Sequence, residues 1–345
     1  MIKDKYRWLF GVLTLVLSSA LAVMVQGSNA QESTTHTADP ALTPGSLAVN
    51  WVTGAPDCSR HDEPNLQVHS YSADTYILRQ NPCATFEAPF IYLLIGQQQA
   101  LLLDTGAIAE EEAMPLASTV LNLLPRPGGV RLPLVVAHTH SHLDHRAGDA
   151  QFANLPDVEI IGPEPADIQD FFGLSDWPEG VATLDLGQRP LEIVPVPGHH
   201  PASIAVYDNQ TGLLLTGDFL LPGRVYINDR ASFRRSSRRL LDFVDERPIT
   251  HVLGGHLEMN SSGRFYRPGA THHPDERALQ LAQQDIAALA ETADSLGRFS
   301  PYQARATFAL VNYAFILPAL GVLLLASVGA FTVVIWRFIR KRRRL

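Results

Sequence analysis

The sequence predicts a layered α/β domain followed by a C-terminal transmembrane helix. Short apolar segments of strand length alternate with longer segments in which apolar residues recur every three or four positions, and this mixture is typical of an α/β domain. The membrane helix is indicated by a third observation, because no charged residue occurs between positions 306 and 336. With 46% hydrophobic and 18% charged residues, the 345-residue chain is neither disordered nor fibrous.

The N-terminal residues predict export. Lys3, Lys5 and Arg7 precede an apolar run over 8–25, and Ser28-Asn29-Ala30 offers the small residues that a signal peptidase requires. An uncleaved anchor helix is the alternative. We therefore expect a signal peptide and then a polar segment rich in Thr, Ser and Pro that serves as a flexible linker. The predicted bounds are 1–30 for the signal peptide, 31–46 for the linker and 47–300 for the folded domain.

The elements of the folded domain follow from its apolar pattern. Apolar runs bounded by turn residues predict strands at 90–95, 99–103, 132–137, 158–161, 191–196, 204–207, 213–215 and 251–253. Apolar residues at three- and four-residue steps predict helices at 110–124, 165–172, 232–244 and 274–296. No repeat and no second domain boundary interrupts this stretch, so a single α/β domain is expected.

The C-terminal apolar segment predicts a single membrane span. Its core, 310–335, is long enough to cross about 30 Å of hydrocarbon. Trp336 follows at the position of an interfacial aromatic residue, and the basic residues of 337–345 predict a cytoplasmic tail. A core helix of a soluble protein is the alternative. The assignment of 310–336 to a transmembrane helix therefore places the C-terminus in the cytoplasm and the catalytic domain on the exported side, periplasmic or extracellular.

The charge distribution excludes general nucleic-acid binding. The formal net charge is −8, and all three lysines and six of the 24 arginines lie at the two ends of the chain. The body of the protein is therefore more acidic than the average, and an acidic surface repels phosphate backbones. We expect a small-molecule substrate, with the lipid bilayer as the partner of the C-terminal helix.

Cys58 and Cys83 are the two cysteines of the chain. Both lie in the part that is expected to be exported, and an even number of cysteines in an oxidising compartment predicts a disulfide. Two free buried thiols are the alternative.

A dense histidine cluster follows the predicted strand at 132–137. Its sequence is His138-Thr139-His140-Ser141-His142-Leu143-Asp144-His145. Residues two apart in an extended segment face the same side, so His140 and His142 can bind one ion together. Asp144 and His145 come next and are within reach of a second ion. Imidazole together with carboxylate favours zinc, with iron or manganese as alternatives.

Three further residues of ligand type stand just after predicted strands. Each follows a glycine: His199 in Pro197-Gly198-His199, Asp218 in Thr216-Gly217-Asp218, and His256 in Gly254-Gly255-His256. A glycine allows the backbone to turn tightly, so that the side chain points into a shared cleft. The same arrangement at three strand ends, beside the histidine cluster, predicts one metal centre.

This series of motifs resembles the metallo-β-lactamase superfamily. In order, the chain presents Asp104 in Leu-Leu-Leu-Asp-Thr-Gly, the HxHxDH motif, His199, Asp218 and His256, over roughly 76–260. The resemblance implies a four-layered αββα sandwich with the metals at the edge of its sheets, and hydrolase activity for the domain over 47–300. It also implies roles for the residues. His140, His142 and His199 would hold the first of two zinc ions, Asp144, His145 and His256 the second, and Asp218 would bridge both.

The resemblance further implies the chemistry. Two divalent ions lower the pKa of a shared water, and the resulting hydroxide attacks an electrophilic carbonyl or phosphorus. Asp144 and Asp218 are the candidate catalytic residues, with Asp144 as a proton acceptor. Asp104 and Thr139 would support the ligands without binding metal themselves. His138 has no role that the family pattern assigns.

The substrate is less constrained by the sequence. Asp218 at the bridging position favours lactonases and thioesterases of the glyoxalase II sort over two-zinc β-lactamases, so an ester, thioester, lactone or amide is expected. Candidate substrate-binding residues are Tyr226, Arg224 and His200. One alternative is a mononuclear iron enzyme of the sulfur-dioxygenase sort on the same scaffold. Another is a non-catalytic metal-binding module that signals through the membrane helix.

Overall fold

The computed structural model describes residues 42–60 and 62–342, with side chains to position 336. The predicted signal peptide at 1–30 and most of the predicted linker at 31–46 lie outside these residues. The described strands are β1 Leu66–Ser72, β2 Thr75–Gln80, β3 Phe90–Ile95, β4 Ala100–Leu103, β5 Leu134–Ala137, β6 Val158–Ile160, β7 Ala182–Asp185, β8 Pro190–Pro195, β9 Ile204–Asp208, β10 Leu213–Gly217, β11 Arg224–Ile227, β12 His251–Gly254, β13 Tyr302–Ala304 and β14 Ala309–Asn312. The helices are α1 Leu116–Leu123, α2 Leu143–Arg146, α3 Pro165–Phe172, α4 Arg230–Asp245, α5 Gln283–Ser295 and α6 Tyr313–Arg342.

The strands form three sheets within the described residues. The first sheet has the order β1-β2-β3-β4-β5-β6, the second β12-β10-β9-β8-β7, and the third β11-β14-β13. In the first sheet β4, β5 and β6 are parallel to one another. In the second, β10 is parallel to β12 and antiparallel to β9. The consequence is that β4, β5, β8, β10 and β12 all direct their C-terminal ends toward one edge of the sandwich.

Three apolar layers explain the packing. On β4, Leu101 and Leu103 face the second sheet, whereas Leu102 faces α1, as the two-residue period of a strand requires. On β10, Leu213 and Leu215 belong to the layer between the sheets, and Leu214 to the layer under α4 and α5. Since helices cover the outer faces of both large sheets, the four-layered αββα sandwich is confirmed.

Two predicted helices are shorter in the structure. The helix expected at 110–124 begins only at Leu116, because Pro115 precedes it with ψ 61°, outside the helical range. The helix expected at 274–296 begins only at Gln283. Asp275 has a positive φ of 57°, and Leu281 forms an isolated bridge with Val252 of β12, so the intervening residues are extended rather than helical.

The predicted boundary between domain and membrane helix also differs. Residues 309–312 form β14, which pairs in parallel with β11 and antiparallel with β13. The folded domain therefore extends past 300, and α6 begins at Tyr313 rather than at 310. The apolar side chains of β14 satisfy the composition of a membrane span, but Leu310 is buried in the layer under α4 and α5.

The two cysteines form the predicted disulfide. The Cα atoms of Cys58 and Cys83 are 5.2 Å apart, and the bond closes a loop with a sequence separation of 25. It ties the segment before β1 to the segment that carries Phe86 and Glu87, two residues of the cavity described below.

Candidate metal centre

Three histidines from two strand ends converge on one point. The Nε2 atom of His140 lies 2.8 Å from Nδ1 of His142, and Nε2 of His199 lies 3.2 Å and 3.1 Å from these two atoms. His140 and His142 follow β5, and His199 follows β8. The structure therefore brings together the three residues that were predicted to hold the first ion.

A second group lies beside the first. Nε2 of His256 is 3.2 Å from Nε2 of His145 and 3.3 Å from Oδ2 of Asp144. Asp144 and His145 lie on the short helix α2, and His256 follows β12. Together with Asp218, these side chains form a second cluster with one ligand atom each within 4.8 Å of the others.

Asp218, at the end of β10, lies between the two groups. Its Oδ1 atom is 3.5 Å from Nε2 of both His145 and His256, and its Oδ2 atom is 3.8 Å from Nε2 of His199. Oδ1 is buried and has no hydrogen-bond partner within the described residues. A buried carboxylate oxygen without a donor is costly, so this position calls for a cation.

Hydrogen bonds from Nδ1 of three histidine rings leave Nε2 of each ring available to bind a metal ion. Nδ1 of His199 donates to the carbonyl of Tyr226 at 2.8 Å, and Nδ1 of His256 donates to the carbonyl of Glu87 at 2.7 Å. Nδ1 of His145 donates to Oδ2 of Asp104 at 2.9 Å. Because Nδ1 carries the proton in each neutral ring, the Nε2 lone pair is directed at the centre, as metal ligation requires.

Asp104 and Thr139 contact the clustered histidines from behind. Asp104 follows β4 and is fully buried. Its Oδ1 accepts from the backbone N–H of Thr139 at 2.7 Å, and its Oδ2 accepts from the Thr139 hydroxyl at 2.9 Å. The Thr139 oxygen also lies 3.3 Å from Nδ1 of His140 and of His145. These contacts join the loops after β4 and β5 into one rigid frame.

The donor set fits divalent metal ions. Zinc–nitrogen bonds of about 2.0–2.1 Å in tetrahedral geometry separate the ligating nitrogens by about 3.3 Å. The nitrogens of His140, His142 and His199 are 2.8–3.2 Å apart, a spacing at which their lone pairs repel unless a cation lies between them. Three imidazoles in the first group, and imidazole together with carboxylate in the second, are suited to zinc, iron or manganese rather than to calcium.

The two groups differ in their electrostatics in the absence of metal. Burial, reinforced by the charge of His145, holds the pKa of His140 well below its ordinary value of 6.5. Burial likewise lowers the pKa of His199. Burial also opposes the charged form of His256, but Asp218 and Asp144 outweigh it and raise its pKa to about 9. Against its own burial, the hydrogen bond from His256 and the charge of His145 lower the pKa of Asp144 to about 2.

Two glycines allow the loops to approach this closely. Gly217 has a φ of 50°, and a Cβ atom there would lie 2.4 Å from the side chain of Thr139. At Gly255 the φ is not positive, but a Cβ atom would lie 2.8 Å from Oδ1 of Asp218 and from the ring of His145. The glycines before Asp218 and His256 are therefore required mainly for close approach to neighbouring loops.

A cavity of about 380 Å³ opens over the clusters. The predicted residues Tyr226 and Arg224 line it. The Tyr226 hydroxyl makes no hydrogen bond within the described part of the chain, and burial, followed by the charge of Glu258, raises its pKa so that it remains a donor. Arg224 is paired with Glu258 at 3.1 Å and donates to the carbonyl of Tyr266 at 2.6 Å. Its charge is therefore already compensated.

The remaining two histidines of the motifs lie outside the cavity lining. His200 accepts from the N–H of Ala202 at 3.1 Å and packs with its ring 5.1 Å from that of His142. Burial lowers its pKa to about 4, so it is neutral. His138 turns away from the clusters and donates to Asp149 at 2.8 Å. His200 thus supports a ligand ring rather than reaching the cavity.

Most of the cavity wall was not predicted from the sequence. The lining residues without a prediction include Phe86, Glu87, Tyr266, Arg267, His273 and Tyr313. Arg267 is exposed, and its guanidinium makes no ion pair or hydrogen bond with any described residue. A free arginine at the rim of a cavity is a signal for anion recognition. No local sequence pattern indicates that residue 267 lies near residue 218, so this signal becomes visible only in the structure.

The chain is similar in sequence to known metal-dependent hydrolases of one superfamily. The family model of the metallo-beta-lactamase superfamily matches residues 84–263. An acyl-coenzyme A thioesterase MBLAC2 from Gallus gallus is 27% identical over 209 residues, which cover 51% of this chain and 75% of the relative. A hydroxyacylglutathione hydrolase from Brucella ovis is 29% identical over 154 residues, 44% of this chain and 57% of the relative. A solved metallo-beta-lactamase from Pontibacter korlensis covers 67% of this chain and 99% of its own at 18% identity, with a TM-score of 0.46.

Proposed function

The chain belongs to the metallo-β-lactamase superfamily, and we propose that it is a membrane-anchored hydrolase of acyl thioesters that holds two divalent metal ions, preferably zinc. The observation that carries the proposal is the position of Asp218. One of its oxygens faces His145 and His256, and the other faces His199, so a single carboxylate serves both ligand groups. In that arrangement His140, His142 and His199 hold one ion, and Asp144, His145 and His256 hold the other.

The reaction that this site supports is hydrolysis. Bound there, the ions would lower the pKa of a water molecule and polarise the carbonyl oxygen of the substrate. The water oxygen forms a bond to the acyl carbon, the carbon–sulfur bond breaks, and the products are a carboxylate, a thiol and one proton. Asp144, which is ionised and lines the cavity, accepts the proton of the attacking water at its carboxylate. The free hydroxyl of Tyr226 donates a hydrogen bond to the oxygen that gains charge.

The choice of a thioester is supported by the relatives. The acyl-coenzyme A thioesterase and the hydroxyacylglutathione hydrolase both act on an acyl group carried by a thiol cofactor or peptide. Both carriers are anionic, and Arg267 at the rim of this cavity offers an uncompensated charge to such a carrier. Arg267 therefore replaces Arg224, which was predicted from the sequence, as the candidate substrate-binding arginine.

The membrane anchor is supported by α6. Its segment Tyr313–Trp336 has 24 residues and contains an 18-residue window with a mean hydropathy of 2.3, in which no residue is buried. Six basic residues follow within 337–344. In this proposal the helix crosses the bilayer once, the catalytic domain lies on the exported side and the basic tail stays in the cytoplasm.

The experiment that tests the proposal is metal analysis combined with a substrate panel. The full chain is purified in detergent, and bound zinc, iron and manganese are counted. Hydrolysis is then measured with acyl thioesters, lactones, carboxylic esters and β-lactams. We expect two metal ions per chain and hydrolysis of thioesters above the other classes. One iron per chain, with oxygen consumed in the presence of a persulfide, would establish the dioxygenase alternative instead.

The two metal sites should differ in their pH dependence. At neutral pH His256 is protonated in the metal-free protein, so an ion entering the second group must displace that proton, whereas His140 and His199 are already neutral. Affinity of the second site should therefore rise about tenfold per pH unit for each proton displaced, up to about pH 9, while that of the first should depend less on pH. Calorimetric titration in buffers of different ionisation enthalpy counts the protons released. Equal pH slopes at the two sites would contradict the assignment.

A further inference from the structure

One residue belongs to both the cavity wall and the membrane helix. Tyr313 lines the cavity over the metal centre, and it is also the first residue of α6. Its ring lies against that of Tyr226, with centroids 4.8 Å apart and planes inclined by 31°. The apolar helix therefore starts at the wall of the cavity, with no linker between the two.

Strand pairing connects this junction to the folded domain. The strand β14 leads directly into α6 and pairs with β11 through four residues, among them Tyr226 and Val311. The carbonyl of Tyr226 accepts the hydrogen bond from Nδ1 of His199. A metal-ligand histidine, the cavity wall and the start of the helix are thus connected through one pair of hydrogen-bonded strands.

The length of the helix sets the height of the cavity above the membrane. The 24 residues from Tyr313 to Trp336 span about 36 Å at 1.5 Å per residue, slightly more than the roughly 30 Å of hydrocarbon. An aromatic residue stands at each end, where tyrosine and tryptophan favour the headgroup region. Tyr313, and the cavity beside it, then lie at headgroup level.

Aromatic and basic side chains near the start of α6 also suit the headgroup region. Phe299 is 72% exposed and lies edge to face with Phe315 of α6, with ring centroids 5.8 Å apart. The guanidinium of Arg298 lies over the Phe299 ring. Tyr302 on β13 is also exposed. Exposed aromatic residues next to an arginine are costly in water but typical of a surface that touches lipid headgroups.

Two exposed apolar side chains lie at the mouth of the cavity, and one free cation occurs among its described lining residues. Phe86 lines it and is 51% exposed. Leu143, between the lining residues His142 and Asp144, is 73% exposed. Arg267 is the cation without an ionic partner. This combination matches an amphiphile with an apolar acyl chain and an anionic head.

We propose that the enzyme takes its substrate from the membrane surface, and that the substrate is a long-chain acyl thioester held in the leaflet on the side of the catalytic domain. The inference rests on the proposed hydrolase function and on the proposed span of α6. The acyl chain follows the apolar rim at Phe86 and Leu143, the anionic head meets Arg267, and the carbonyl reaches the clusters beside Tyr226. The distance between the catalytic domain and the bilayer then helps to determine which substrates reach the metal clusters.

A spacer between domain and membrane tests this directly. About eight residues of Gly and Ser inserted between Phe315 and Ile316 leave Tyr313 against Tyr226 and add a reach of about 16 Å. About 20 apolar residues remain, which suffice for a span. The control carries the same spacer between Trp336 and Arg337, on the other side of the bilayer. All proteins are reconstituted in phosphatidylcholine vesicles with the catalytic domain outside.

Two probes separate this inference from the proposed function. One is a palmitoyl thioester incorporated into the vesicles, and the other is S-butanoyl-mercaptoethanol, which stays in water. We expect the first spacer to slow hydrolysis of the palmitoyl thioester at least about tenfold, through a lower effective concentration, and to leave the soluble probe unchanged. The control spacer should change neither rate. Equal rates for both spacers, or hydrolysis of the soluble probe alone, would overturn the inference while leaving the hydrolase intact. Hydrolysis of neither probe by the unmodified protein would overturn both.

Discussion

Hydrolysis of acyl thioesters is expected to fall at least about a thousandfold in kcat/KM when Asp218 is replaced by asparagine, equivalent to about 4 kcal/mol of transition-state stabilisation. Asp218 is the carboxylate that faces both ligand groups. Asparagine has nearly the same shape but removes the negative charge and places an amide nitrogen against one of the groups. The variant should bind fewer metal ions and bind the remaining ion more weakly.

The control for Asp218→Asn is Asp229→Asn. Asp229 precedes α4 and accepts from the backbone N–H groups of Ala231 and Ser232. Asparagine caps a helix as well as aspartate does, so this variant undergoes the same chemical change near the site without touching the clusters. Its activity and metal content should equal those of the unmodified protein. If Asp218→Asn retained both ions and a rate within about tenfold, Asp218 would not bridge the groups and the two-metal proposal would fail.

The ligand positions could be predicted because each depends on local sequence. Every ligand follows a strand that is recognisable by its apolar run, and strands that run in the same direction end at one edge of a sandwich. The pairs β4–β5 and β10–β12 are parallel, and this brings Asp104 next to the His138–His145 motif and Asp218 next to His256. The four layers were predicted from the family resemblance, and in the structure alternate residues of β4 and β10 face opposite sides.

The cavity wall could not be predicted because contacts distant in sequence position it. The segment around Tyr266 and His273 is anchored by Glu276, whose carboxylate receives two hydrogen bonds from the buried Arg79, 197 residues away. Tyr266 stacks on His273 with planes inclined by only 3°. A pattern of apolar spacing over 274–296 indicated one long helix. It contained no sign that Glu276 pairs with an arginine on β2, and this pairing keeps the first part of the segment extended.

The predicted start of the C-terminal apolar helix was wrong for a related reason. Strand β14 is as apolar as the helix that follows it, so composition alone merges the two. The strand is defined by its pairing with β11, which lies more than eighty positions earlier in the chain. That pairing also places Tyr313 in the cavity. The contact between the cavity wall and the start of the apolar helix therefore depends on tertiary structure, although the strand and the helix are each apolar runs in the sequence.

Replacing Asp104 by asparagine is expected to weaken metal binding at the second site about 10–100-fold and to lower the free energy of unfolding by about 2–3 kcal/mol. Asp104 accepts three hydrogen bonds, from the N–H and hydroxyl of Thr139 and from Nδ1 of His145. An asparagine keeps one acceptor oxygen and turns an N–H₂ group toward the other donors. In either orientation of the amide, its N–H₂ group faces a buried N–H group, either that of the Thr139 backbone or that of the His145 ring. When it faces His145, the ring loses the acceptor that fixes its tautomer.

The backbone at Asp104 makes this substitution a clean test of hydrogen bonding. Asp104 has a φ of 71°, in the left-handed region, which asparagine adopts more readily than most residues. The matched control is Asp149→Asn, because Asp149 accepts from His138 and from the Thr105 hydroxyl outside both clusters. Chelator competition measures the two metal affinities separately, and urea unfolding measures stability. Since Asp104 touches His145 directly but reaches His140 only through Thr139, the second site should weaken more than the first. Equal weakening of both sites would mean that Asp104 holds the loops together as a whole and does not orient His145.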